Sequence, residues 1–496
     1  MVAPTLELDR VTRSYGLVTA VHDASVRFEP GSVVAIVGEN GAGKSTLLAL
    51  AGGDIAPTSG HVIVGGRQLS PPTPAEAIRR GIGFVHQHFM LVEAFTAMEN
   101  ILLGYEPMRS FGRLDLAIGR SRALTVLREV GLHFDLDARV SDLGIGERQH
   151  LEIARVLVRG ARILLLDEPT AVLTPAQASG LYATLRKAAG AGACVVVVTH
   201  RLQEVLSFCD SVVVMRRGHI VHQCPVHQTT SLDLARHIMG CDPPPLVARP
   251  PRQENASVAL ELRDLHVANA SGSAPSVDGF SLRVPAGAIL GLAGIEGNGQ
   301  QELVRAIAGT LAITSGEVLL GGQNVSTWTV AQRRAAGLAV VHDDRHREGL
   351  LLDVCVADNL VLGDLEHAKD EPALVGKRMG AYRIAPADPQ MHARQLSGGN
   401  QQKVVVARAL DRKVTAAVLA HPTRGVDFGA ARSIHEAIID TAKRGASVLV
   451  ISADLAELRE LCHEVAVISR GRVVAVLPPE TPEEVFGQAM LGEVAA

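Results

Sequence analysis

The stretch GENGAGKST at residues 38–46 has the residue types and the spacing that phosphate chemistry requires. Gly38, Gly41 and Gly43 let the backbone curl so that successive N–H groups, that of Asn40 among them, face a phosphate chain. Lys44 then reaches the β and γ phosphates, Ser45 coordinates Mg²⁺, and Thr46 carries the loop into a helix that adds its positive end. RILLLDEPT at 162–170 supplies the second requirement. Its apolar run forms a buried strand that delivers Asp167 and Glu168 at the carboxyl end, where open α/β sheets place their ligands. Asp167 reaches the Mg²⁺ shell and Glu168 polarises an attacking water.

Both stretches have a damaged twin. Displaced by 256 positions (294 minus 38), residues 294–301 read GIEGNGQQ, the same glycine frame with Gln300 and Gln301 in place of the lysine and the hydroxyl residue. By the later offset of 253 (396 minus 143), Asp167 corresponds to Ala420 and Glu168 to His421. Damage also runs the other way, because an intact LSGGN at 396–400 matches an altered LGIGE at 143–147. Loss of a general base alone costs about 10²- to 10⁴-fold in rate, so the second copy is expected to hydrolyse negligibly. Gly294, Gly297 and Gly299 still leave a helix N-terminus able to hold an anion.

The elements that must position these residues recur in the same order. LELDRVTRSYG and ASVRFEPGSVVAIVG read as strands before the first glycine loop, and STLLALAGG continues as a helix. LELRDLHVA, FSLRVPAGAILGLAG and QELVRAIAG repeat the plan. Cys194 to Val198 and Ala416 to Ala420 are expected to be buried strands. Pro243, Pro244, Pro245, Pro250 and Pro251 fall among polar residues at 243–257, a stretch that reads as a linker between domains at 1–242 and 258–496.

Composition narrows the class. With 496 residues, 47% hydrophobic and 20% charged, the chain is an ordinary globular one. No stretch approaches the roughly 18 uncharged apolar residues of a spanning helix, and MVAPTLELDR has no apolar signal core, so export is not expected. Six cysteines without a CxxC pair argue against a zinc site and fit a reducing compartment. A net charge of −4 and 3% aromatics give neither a phosphate-binding stripe nor a base-stacking platform, so nucleic acid is not an expected partner.

GENGAGKST, LSGGNQQ, LLLDEP and the histidine of VVVVTH together resemble the ATP-binding cassette (ABC) family, and the similarity covers nearly the whole chain. The resemblance implies an α/β fold: two tandem ABC nucleotide-binding domains, each a P-loop core with a helical subdomain, binding ATP and Mg²⁺. It further implies that Tyr15 stacks on adenine, that Gln87 senses Mg²⁺ and the transport partner, and that His200 contacts the γ phosphate. In LSGGN a hydroxyl and two bare glycines open a helix, presenting Ser397, Gly398 and Gly399 with a positive dipole to an anion. In cassettes that anion is the γ phosphate held by the opposite domain, so Lys44, Asp167, Glu168, Gln87 and His200 pair with this signature to make one complete site. The other pairing has Gly144, Ala420, His421, Ala453, Asp343 and Ser271 at the matching positions.

The fused pair, the degenerate GxxGNGQxEL loop and PTRGVDFGA at 422–430 resemble the simple-sugar importers. FVHQHFMLVEAFTAMENILLG at 84–104 and the Ala420/His421 pair resemble their nucleoside-importing branch. The resemblance implies a peripheral ATPase at the cytoplasmic face of the membrane, docked on two membrane-spanning permease subunits and served indirectly by an extracytoplasmic solute-binding protein. Nucleoside import is the first expectation and simple-sugar import the alternative. The expected docking surfaces follow Gln87 (His88 to Glu99, with Phe89, Met90, Leu91 and Phe95) and Asp343 (Asp344 to Val354). VHDDRHREGL at 341–350 otherwise reads as a solvated charged turn. An ABC-F-type translation factor would have a long basic linker, and a DNA-repair or chromosome-organising ATPase would have zinc cysteines or long heptads; neither pattern is present.

Overall fold

In the computed structural model the chain forms two compact units, Met1–Pro243 and Pro244–Ala496. The described residues are 4–16, 18–87, 89–108, 115–170, 173, 175–242, 248–251, 256–269, 275–295, 297–364 and 371–492. Ser271, His88 and parts of the proline-rich stretch, 243–247 and 252–255, lie outside them.

In the first unit, five strands of uninterrupted apolar character assemble into the parallel part of a six-stranded sheet. Its order is His219–Pro225, Ser211–Arg216, Val33–Gly38, Cys194–Val198, Ile163–Asp167, Ile82–Val85, with only the first of these antiparallel to its neighbour. Every residue of Val33–Gly38, Ile163–Asp167 and Cys194–Val198 is buried, as strands covered on both faces require. A four-stranded antiparallel sheet, Val18–Phe28, Leu6–Tyr15, Ser59–Val64, Arg67–Gln68, packs its apolar face on Leu47, Leu48 and Leu50 of the Lys44–Ala51 helix. Alternation along Leu6, Leu8 and Val11 supplies that face.

A helical subdomain branches off between Ile82–Val85 and Ile163–Asp167. Its helices Ala97–Leu102, Leu116–Val130 and Ile145–Val158 share a separate core of Ile101, Ala123, Leu127, Leu151 and Ala154. The first starts with a capping box: Thr96 Oγ1 accepts from the Glu99 N–H at 3.2 Å and the Glu99 carboxylate accepts from the Thr96 N–H at 2.8 Å.

The second unit repeats the strand order as Arg472–Leu477, Glu464–Ser469, Ile289–Ala293, Ser447–Ile451, Ala416–Ala420, Leu338–Val341, beside the antiparallel Val277–Pro285, Val258–Val267, Ser315–Leu320, Gln323–Asn324. Its helical subdomain comprises Val356–Val361, Glu371–Ala381 and Gly398–Leu410. The expected α/β class, two P-loop units each with a helical subdomain, is the observed one.

Candidate functional site

Four segments converge at the carboxyl ends of neighbouring parallel strands in the first unit. The glycine loop follows Val33–Gly38, Gln87 follows Ile82–Val85, Asp167 and Glu168 end Ile163–Asp167, and His200 follows Cys194–Val198. Loop shape is set by backbone: Gly43 caps the Lys44–Ala51 helix at φ 98°, and a Cβ there would collide with the Ala20 carbonyl oxygen. Lys44 is buried and folds back to donate to the carbonyls of Gly38 at 2.8 Å and Glu39 at 2.9 Å. Ser45 stands at the first turn, hydrogen-bonded to Asp167, with Thr46 half-buried behind it.

Burial raises the pKa of Asp167, partly offset by the Ser45 hydrogen bond, and the neighbouring Glu168 charge adds to the rise. Its Oδ1 is buried with no hydrogen-bond partner. An orphaned carboxylate oxygen beside a hydroxyl is a fitting pair of ligands for Mg²⁺, whose charge would reverse the cost of burial. Glu168 has φ 47°, which turns its carboxylate out of the strand. His200 Nδ1 lies 3.3 Å from Oε1, and the Gln87 amide donates to Oε2 at 3.3 Å. Against the opposing effect of burial, the His200 contact and the nearby Lys44 and Arg201 charges hold the Glu168 pKa below the usual range. The carboxylate is thus ionised and aimed, as a group that polarises water requires. Tyr15 stands apart at the end of the antiparallel sheet, half exposed, with the Arg13 guanidinium 4.6 Å from its ring centroid.

The same positions in the second unit keep the backbone and lose the chemistry. Gly299 again caps a helix at φ 98°, Gln300–Ala308, and His421 repeats the left-handed conformation of Glu168 at φ 45°. Gln300 donates to the Ile295 carbonyl at 2.8 Å, the same tether Lys44 makes to Glu39, without a charge. Gln301 reaches Asp343 at 3.2 Å, and Asp343 takes two contacts from Arg424 at 3.1 Å.

The signature loops differ in the opposite sense. Ser397 caps Gly398–Leu410 and accepts from the Asn400 side chain at 3.0 Å, which leaves its own hydroxyl hydrogen to donate outward. Gly399 packs tightly on Asp427 and Ala430. In LGIGE, the Glu147 carboxylate turns back onto the Gly144 N–H at 2.9 Å, so the helix N-terminus already has its anion. Sequence reasoning located the missing serine and overlooked this self-cap, although a glutamate three residues into a helix is the signal for it.

Two other groups make contacts that were not foreseen. Glu204 accepts from Thr170 at 2.7 Å, Tyr182 at 3.1 Å and Arg201 at 3.2 Å, locking the helix after His200 to the segment after Glu168. Thr423, Glu457 and His435 rebuild this frame in the second unit. VHDDRHREGL is the other: Asp344, His346, Arg347 and Glu348 are exposed, as in a solvated charged turn, but Arg345–Gly349 is a π-helical turn and Arg345 and His346 also contact Gln401. Of the apolar residues after Gln87, Leu91 packs on the helical-subdomain core, whereas Met90 and Phe95 face outward.

The ABC transporter family profile matches the chain twice, at residues 21–171 and 277–424. The chain belongs to the ABC transporter family. This ABC transporter subunit is 36% identical to the nucleoside import ATP-binding protein NupA of Lactococcus lactis subsp. cremoris, over 98% of each chain. It is also 36% identical to the ribose import ATP-binding protein RbsA 1 of Rubrobacter xylanophilus, over 99% of each. Ribose-import names recur among such relatives more often than nucleoside-import names. The crystal structure of archaeal ribosomal stalk protein aP1 with the recycling factor aABCE1 shares the fold at TM-score 0.67 and 18% identity, covering 97% of this chain and 92% of that one. The ABC transporter subunit described here is the ATP-hydrolysing component of an importer.

Proposed function

We propose that this subunit hydrolyses ATP at one site and so energises import of a ribose-type simple sugar. The observation that carries the single-site reading is the division of labour between the units. Lys44, Asp167, Glu168, Gln87 and His200 lie together in the first unit, and the outward Ser397 hydroxyl belongs to the second. In this reading Gly38, Asn40, Gly41, Gly43, Lys44 and Thr46 hold the phosphates, and Ser45, Asp167 and Gln87 hold Mg²⁺. Glu168 takes the proton of the attacking water, with His200 keeping the carboxylate ionised. Ser397, Gly398 and Gly399 receive the γ phosphate, and Tyr15 stacks on adenine. Bound Mg²⁺ would neutralise the charge developing on the phosphates.

The sugar assignment rests on the recurrence of ribose-import names among relatives. Nucleoside import is the second reading, favoured by the 36% identity to the nucleoside import protein over 98% of the chain. The partners are then two permease subunits in the membrane and, through them, a solute-binding protein, with this chain peripheral at the cytoplasmic face. No helix among the described residues is long and apolar enough to cross a membrane. Exposed Met90, which lines a cavity with Ile78, Phe84 and Arg159, is the residue best placed to receive a permease helix, and exposed Phe95 follows five positions on. Uptake of labelled ribose, a purine nucleoside and a pyrimidine nucleoside in a strain lacking this chain tests the assignment. Loss of ribose uptake alone is expected; loss of both nucleosides with ribose uptake intact would reverse it.

A further inference from the structure

Between Asp343 and Cys355 the second unit runs 12 positions (355 minus 343), whereas Gln87 to Thr96 in the first runs nine (96 minus 87). The capped helices that follow begin in the same way, with Asn359 accepting from the Leu351 N–H as Asn100 does from that of Val92. The three extra residues therefore fall within the stretch that contains the π-helical turn Arg345–Gly349.

What the turn accomplishes is visible in the contacts of Arg345. Its Nη1 donates to the Arg424 carbonyl at 3.1 Å and its Nε reaches Gln401 Oε1 at 3.4 Å, an oxygen that His346 also contacts at 2.9 Å. Gln401 is a residue of the signature helix. Nη2 lies where a Cβ on Gly398 would come within 2.9 Å of it, so the guanidinium rests against the bare backbone of the signature turn. From Arg424 the chain of contacts continues to Asp343 and on to Gln301, which occupies the position of Ser45 in the glycine loop. Gln301, Asp343, Arg424 and Arg345, the last two linked at the Arg424 main-chain carbonyl, thus join the degenerate loop to the intact signature within one unit.

The first unit is tied differently among the described residues. Its shorter stretch contains no arginine, Gln87 turns to Glu168, and the guanidinium sits on the helix instead: Arg148, in the place of Gln401, donates to the carbonyls of Leu143 at 3.0 Å and Ser141 at 3.1 Å and to the Glu93 carboxylate of that stretch at 3.1 Å. Its signature turn bears Ile145 where the second unit has Gly398. An arginine that lies against the signature turn itself is described only beside the intact signature; the one in the first unit reaches away from that turn to Glu93.

We propose that Arg345 is a positioning residue for ATP hydrolysis: tied through Arg424 and Asp343 to the degenerate glycine loop, it fixes Ser397–Gly399 in their phosphate-receiving shape without nucleotide in its own unit. This rests on the reading that Ser397–Gly399 receive a γ phosphate. Gln301 and Asp343, useless for catalysis where they stand, then have a task as the anchor of the signature.

The test is steady-state hydrolysis by the full-length chain, together with equilibrium binding of Mg²⁺-ATP. Arg345→Ala is expected to lower kcat on the order of 10-fold, as loss of positioning does, while ATP affinity changes less than about twofold. Arg345→Lys, which keeps the charge and reaches one acceptor at a time, should recover part of the loss. Asp343→Asn should lower kcat in the same direction, and Arg345→Ala with Asp343→Asn should be no worse than Arg345→Ala alone, since both cut one chain. Should Arg345→Ala fail to fold, Asp343→Asn decides, and its wild-type kcat would overturn the proposal. Wild-type kcat in Arg345→Ala beside an inactive Ser397→Arg would make Arg345 a bystander and leave the phosphate reading standing. A Ser397→Arg variant that hydrolyses normally would remove that reading and the proposal with it.

Discussion

At the residue scale the two units are a natural substitution experiment. Lys44 and Gln300 make matching tethers to loop carbonyls, but only the first can offer a charge to a phosphate. Lys44→Ala and Glu168→Gln are therefore predicted to lower turnover by about 10²-fold or more, whereas Gln300→Ala should leave it within about twofold in steady-state assays. Comparable losses at Lys44 and Gln300 would contradict the asymmetry. A second contrast concerns Tyr182 and His435, which occupy the same buried frame. Burial lowers the His435 pKa, but its contacts with Glu457 and Glu460 outweigh this and raise it from the ordinary 6.5 to about 9. The charged histidine thus stabilises the second unit fully below about pH 6.5, and that stabilisation fades as pH rises through about 9. His435→Gln should flatten the dependence of unfolding temperature on pH between these limits. An unchanged slope would mean that the histidine is neutral in the fold. The motif residues around Lys44 and Asp167 were legible because their types and spacing are rare together. Glu204 was not, since a glutamate on an amphipathic helix has no mark that says it is buried against a threonine and a tyrosine.

At the element scale, strands and glycine loops were read easily because uninterrupted valine and leucine runs admit few other structures. The π-helical turn was hidden, because RHREG has the composition of a solvated loop and is largely exposed, and only the contacts of Arg345 and His346 with Gln401 set it apart. The turn before each P-loop helix is held by glycine whether or not chemistry follows. Gly299→Ala, with φ 98° and the Ser276 carbonyl in the way, is predicted to destabilise the second unit by about 2–3 kcal/mol. Gly297→Ala has a φ of 90° but open space around it, and strain alone should cost about 1 kcal/mol. Denaturant titration separates the two, and equal midpoints would show that the carbonyl yields.

For the whole molecule, the sequence repeat announced two units of one topology, and the structure adds that the degenerate unit has kept every strand of its sheet in order. The solute was never legible, because no residue of an ATPase subunit need touch it. If nucleotide binds only where Lys44 stands, saturating Mg²⁺-ATP should raise the unfolding temperature of one calorimetric transition and leave the other in place. At 100-fold excess over Kd the shifted transition gains about 2.7 kcal/mol, and Lys44→Ala should abolish the shift; movement of both transitions would locate a second binding site. The glycine turn of the second unit has one more implication. It keeps the φ of 98° of its twin with neither lysine nor hydroxyl residue, so the turn is set by its glycine and not by the side chains that carry the chemistry. Loss of the chemistry in the second unit thus required no rebuilding of the backbone beneath it, because the left-handed glycine and not the lysine fixes the turn.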